Sequence, residues 1–98
     1  MSSPTDELLN ERGKTHGDYS QHAEITQSLK DYMRSCPNWN SLTPSQKETL
    51  DMNAHKVGRI LAGNPNFADH WDDIAGYARL VSKEIEQRKL GATPKQAA

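Results

Sequence analysis

Leu50, Ala54, Val57 and Leu61 recur at intervals of four and three between Thr43-Pro44-Ser45-Gln46 and Gly63, which commits the middle of the chain to an amphipathic helix. A strand would place apolar residues at every second position, whereas these four share one face of a 3.6-residue period. The ends agree with the interior. Thr43 caps, Pro44 suits the first helical position, Gln46 completes a capping box, and Gly63 supplies a left-handed stop. The spacing predicts a helix over 44–62, with Ile60 flanking the stripe.

The same reasoning extends to both sides. Pro4, with Asp6 and Glu7 in the first turn, starts a short helix over 4–12 that Gly13 is expected to stop. His22, Ile25, Leu29, Tyr32, Met33 and Cys36 mark a second helix from Tyr19 to Cys36, closed by Pro37. Residues 37–42 are rich in turn formers, and Trp39 among them is expected to cap one end of the core. After the turn Gly63-Asn64-Pro65-Asn66, a long helix is predicted from Phe67 to Leu90 with the stripe Phe67, Trp71, Ile74, Ala78, Val81 and Ile85. Gly91 ends it, and residues 92–98 read as a disordered tail. No segment shows strand alternation, so the expected class is all-α: one domain over 1–91, a small bundle of three main helices plus a short N-terminal helix.

Composition narrows the partners. At 98 residues and 34% apolar content the core is lean, and self-association into a homo-oligomer would relieve the shortage. Twelve Lys and Arg against thirteen Asp and Glu give a net charge of −1, which disfavours nucleic acid and anionic membranes as partners. No apolar run approaches the roughly 18 residues of a membrane span. The single Cys36 forms no internal disulfide, in keeping with a reducing, cytoplasmic setting.

Both long helices carry a second, mixed face. On the third helix Glu48, His55 and Arg59 lie opposite Leu50 and Val57, with Met52 beside them and Asp51 at the margin. On the last, Asp69, Asp73, Gly76 and Leu80 lie opposite Trp71, Ile74 and Ala78, with Asp72 at the margin. Gly76 in mid-helix costs about 1 kcal/mol against alanine, so close helix approach or ligand clearance is expected there. Glu48 with Asp51, and Asp69 with Asp72 or Asp73, are spaced to meet on one surface. Carboxylates from two facing helices, completed by waters and phosphates, make a Mg²⁺ site suited to phosphoryl chemistry. Asp69, Asp72 and Asp73 equally fit an ordinary role against the positive end of the helix dipole.

The segments ERGKTHGDY (11–19), DMNAHKVGRIL (51–61) and DHWDDIAGYARL (69–80) resemble small phage and prophage proteins related to the MazG-like all-α nucleotide pyrophosphohydrolases, over about residues 11–85. That superfamily carries E-x-x-E followed at a distance by E-x-x-D. Here Glu48-x-x-Asp51, 17 intervening residues and Asp69-x-x-Asp72 match the spacing, with Asp51 and Asp69 where the pattern has Glu and Asp73 competing for the last position.

The resemblance implies Mg²⁺-dependent cleavage of an NTP or dNTP to monophosphate and pyrophosphate. Glu48, Asp51, Asp69 and Asp73 would be the catalytic acids and, with Asp72, the metal ligands. Lys56, Arg59, Arg12, Lys14 and His16 would hold the phosphates, with Tyr77 stacking on a base or packing in the core. The setting implied is a bacterial host's cytoplasm. Shorter Asp ligands favour the alternative, an accessory protein that sequesters a nucleotide or signalling nucleotide without hydrolysing it. His55 and His70 fit no zinc pattern and are expected to be structural or exposed.

Overall fold

The computed structural model describes residues 3–91, and its regular elements are all helical, with no strand among these residues. Helix α1 spans Pro4–His16, α2 Tyr19–Ser35, α3 Pro44–Ala62 and α4 Ala68–Gly91, and a single 3₁₀ turn at Trp39–Ser41 links α2 to α3. The proposed tail at 92–98 lies outside the described residues. No helix among them is long and apolar enough to cross a membrane.

Local chemistry explains most of the boundaries. Ser3 and Asp6 form a capping box on α1, Asp18 caps α2 by accepting from the Gln21 backbone, and Thr43 and Gln46 form the expected box on α3. Gly13 does not stop α1. The helix runs on to His16 and ends at Gly17, whose φ of 81° is open only to glycine at low cost. A Cβ on Gly17 would collide with the Ala62 carbonyl oxygen, and one on Gly63 would strike the backbone of Thr15 and His16. Two main chains therefore cross in contact, and the Asn64 amide reaches the Thr15 carbonyl at 3.0 Å.

Helix α3 is the central element, packed by α2 on one side and α4 on the other, with α1 docked near its C-terminal end. Its buried residues are Ala54, Lys56, Gly58 and Ile60, two steps apart, because successive pairs turn to opposite neighbours. Gly58 faces α2, where a Cβ would run into Thr26 Oγ1 and lie 2.8 Å from His22 Nδ1. Lys56 faces α4 through its ion pair with Asp73. One core stripe, with a mixed face opposite it, is the sequence expectation for this helix. Two faces are used, and Leu50 and Leu61 of the expected stripe are exposed.

The inward face of α4 keeps Ile74, Val81 and Ile85 of the expected stripe and departs from it at Trp71 and Ala78. His70 is buried and Ile74, Tyr77, Val81 and Ile85 are half-buried, while Trp71 and Ala78 face solvent. The indole of Trp71 donates from Nε1 to the Pro65 carbonyl at 2.8 Å, which holds the ring over the preceding turn. Gly76 has open space around it, so among the described residues no helix makes the close approach expected there. Trp39 does close one end of the core, buried beneath the Arg34 guanidinium 4.8 Å from its ring centre.

The molecule measures 69 × 26 × 22 Å, with a radius of gyration of 17.9 Å. A compact chain of this length has about 13 Å. Burial is correspondingly thin: among the described residues Trp39, Ala54 and Ile60 are the buried apolar side chains, outnumbered by the polar His22, Thr26, Lys56 and His70.

Candidate functional site

Where α1 ends, α2 begins and the C-terminal half of α3 passes, a pocket of about 570 Å³ opens. Arg12 and His16 come from α1, Asp18 and Tyr19 from the junction, His22 from α2, and His55 and Arg59 from α3; Leu9, Asn10, Gly13 and Gly17 complete the wall. The position of α1 decides whether this wall exists. His70, buried at the corner of α1, α3 and α4, has Nε2 3.2 Å from the Thr15 carbonyl. A carbonyl only accepts, so His70 carries its proton on Nε2. Its ring also meets His16 edge-on, with centroids 5.0 Å apart, and Phe67 at 4.9 Å.

All four histidines of the chain belong to this region. His22 Nε2 and His55 Nδ1 are 3.3 Å apart, one donating to the other, with the two rings perpendicular. Burial, then the charge of Arg59, lowers the pKa of both His16 and His55 to about 4, and burial pushes His22 down as well. These imidazoles are neutral near pH 7, each presenting one donor and one acceptor.

The arginines are in the opposite situation. Among the described residues neither Arg12 nor Arg59 has an ion-pair partner, and Arg59 is half-buried. Burial followed by the charge of Arg12 lowers the Arg59 pKa, opposed by Asp73. Two guanidiniums thus line one pocket, and its carboxylate, Asp18, forms an ion pair with neither.

Of the side chains that the sequence marks for phosphate binding, the structure brings Arg12, His16 and Arg59 together. Lys14 is exposed and pairs with Glu11 at 3.1 Å. Lys56 is buried and pairs with Asp73 at 2.9 Å across the α3–α4 interface, so it stands outside the pocket wall. Tyr77 is half-buried on α4, outside the pocket wall. His22, Asn10 and Leu9 are additions. Only His22 had a signal, as a polar residue on an otherwise apolar helical face.

The acids are dispersed. Arg34 grips both oxygens of Asp51 at 3.0 and 2.9 Å, Asp73 is taken by Lys56, and Glu48, Asp69 and Asp72 stand exposed. Among the described residues no three His, Cys, Asp or Glu side chains converge on a point that could hold a metal ion. In this arrangement two of the five carboxylates of the Mg²⁺ site that the spacing implied, Asp51 and Asp73, are paired with cations of this chain.

The sequence matches a family described as a domain of unknown function, DUF6378, over residues 3–85. The chain belongs to that family. Its matched span takes in every residue of the pocket and most of α4. Neither the curated proteins nor the solved structures compared with it yielded a match.

Proposed function

We propose that this member of the DUF6378 family binds a phosphorylated small molecule of the nucleotide class in the pocket between α1, α2 and α3, and holds it without hydrolysis. The observation that carries the reading is the pair of unpartnered arginines, Arg12 and Arg59, in one pocket with histidines that stay neutral. Keeping the half-buried Arg59 guanidinium without a counter-ion is costly, and a phosphate oxygen that the exposed Arg12 can share supplies that counter-ion by charge-assisted, bidentate hydrogen bonds. Neutral imidazoles add donors without further repulsion. Tyr19, 80% exposed at the rim, offers a ring face for a base.

Isothermal titration with a panel of NTPs and dNTPs, with and without Mg²⁺, tests the reading. Binding without release of monophosphate or pyrophosphate is expected, and no binding of any member would end it.

The MazG-like pyrophosphohydrolase is the second reading, and the spacing Glu48-x-x-Asp51 to Asp69-x-x-Asp72 favours it. It requires Asp51 and Asp73 to give up Arg34 and Lys56 in favour of Mg²⁺. Turnover in the same panel, dependent on Mg²⁺, would establish it.

Under either reading we place the protein in the cytoplasm of a phage-bearing bacterial host, as a homo-oligomer. Leu61, Trp71 and Leu80, each more than half exposed, support self-association, and sedimentation velocity measures it.

A further inference from the structure

Helix α1 is attached to the rest of the molecule at one end. Every residue from Ser3 to Lys14 is exposed, and none of the 13 residues of α1 is buried. An isolated helix of that length is marginal in water, even with good capping. What fastens it lies at its last turn: the Gly17–Gly63 backbone crossing, the Thr15 carbonyl accepting from Asn64 and His70, and the edge-on contacts of the His70 ring with those of His16 and Phe67. Yet the free portion carries Leu9, Asn10 and Arg12 of the pocket wall. Gly13, which a Cβ would leave in open space, weakens the helix between that portion and its anchor.

Arg12 and Arg59 come from different elements, one exposed on the loosely held helix and one half-buried on the central helix. Without an anion their like charges push α1 away from α3. With an anion between them the sign reverses, because each guanidinium is attracted to the same oxyanion. We infer that α1 is a clamp, closed by a phosphate or pyrophosphate group that bridges Arg12 and Arg59. This rests on the binding reading above and adds to it where the oxyanion sits and which element moves.

The clamp has a signature that a static pocket lacks. Amide hydrogen exchange of the full chain, followed with and without saturating inorganic pyrophosphate or ATP in EDTA, should slow at least fivefold over residues 5–14 on binding. The amides of α3 should change less. Arg12→Ala, an exposed position with no structural burden, should weaken ATP binding about tenfold and abolish the protection of α1. Gly13→Ala should protect α1 before ligand is added.

Binding with unchanged exchange in α1, or with equal affinity in Arg12→Ala, overturns the clamp and leaves the binding reading intact. Failure of both pyrophosphate and ATP to bind overturns the two together.

Discussion

Lys56 Nζ lies 2.9 Å from Asp73 Oδ2 across the α3–α4 interface, with the lysine side chain 10% exposed and its partner 48% exposed. The asymmetry sets the cost of losing either member. Asp73→Asn leaves a buried ammonium without its counter-ion and should lower stability by about 1–3 kcal/mol, below the full figure for a buried pair because water reaches the aspartate. Asp69→Asn, at an exposed position in the same helix, should change stability by less than about 0.5 kcal/mol. Urea denaturation of the two variants measures the contrast, and equal stabilities would mean that Lys56 finds another partner.

Gly58 and Gly76 make opposite predictions for the same substitution. A methyl on Gly58 meets Thr26 Oγ1 and His22, so Gly58→Ala should push α2 from α3 and cost about 1–3 kcal/mol. A methyl on Gly76 meets nothing within the chain, so Gly76→Ala should stabilise by about 0.5–1 kcal/mol. Thermal unfolding reads both. A destabilised Gly76→Ala variant whose sedimentation coefficient also falls would locate a subunit contact at that glycine.

Stability should fall as the solution is acidified, over a defined range. His16 and His55 have folded-state pKa values of about 4 against an ordinary 6.5, so between these values the unfolded chain binds more protons than the folded one. Their contribution is complete above pH 6.5, declines as the pH drops towards 4, and is lost below that. Urea midpoints from pH 7.5 to 4.5 measure the slope, and His55→Asn should flatten it.

Arg59→Lys keeps the charge and loses the planar fork. Affinity for ATP should fall by about 1–3 kcal/mol while stability changes little. Unchanged affinity would remove Arg59 from the ligand site.

Much of this architecture is legible from local sequence. Helix α3 starts where Thr43, Pro44 and Gln46 indicate, since capping involves neighbours in the chain, and it ends at Gly63, but with φ −119° rather than in the left-handed conformation expected there, because the glycine is needed for the close backbone approach to Thr15 and His16. The end of α1 was not legible in the same way. Gly13 and Gly17 are both plausible stops, and the choice is made by Gly63, which approaches Gly17 from a distant part of the chain. The face of α4 is decided similarly: apolar periodicity points to Trp71, but the buried corner is completed by the Thr15 carbonyl, which selects His70.

The candidate site follows the same division. Periodicity placed His55 and Arg59 on one face of α3, and the cations near α1 were visible as a cluster. That Arg34 would take Asp51, and Lys56 would take Asp73, depends on how helices are set side by side, which intrahelical spacing does not contain.

The crossing of Gly17 and Gly63 is a fulcrum as well as an anchor. With about 1.5 Å of rise per residue, Arg12 sits roughly 7 Å along the lever and Pro4 roughly 20 Å. A tilt of about 10° about the crossing moves the backbone at Arg12 by about 1 Å, within the reach of one hydrogen bond, and the tip of the helix by about 3 Å. A displacement of about 1 Å at the pocket is thus multiplied about threefold at the exposed tip of α1.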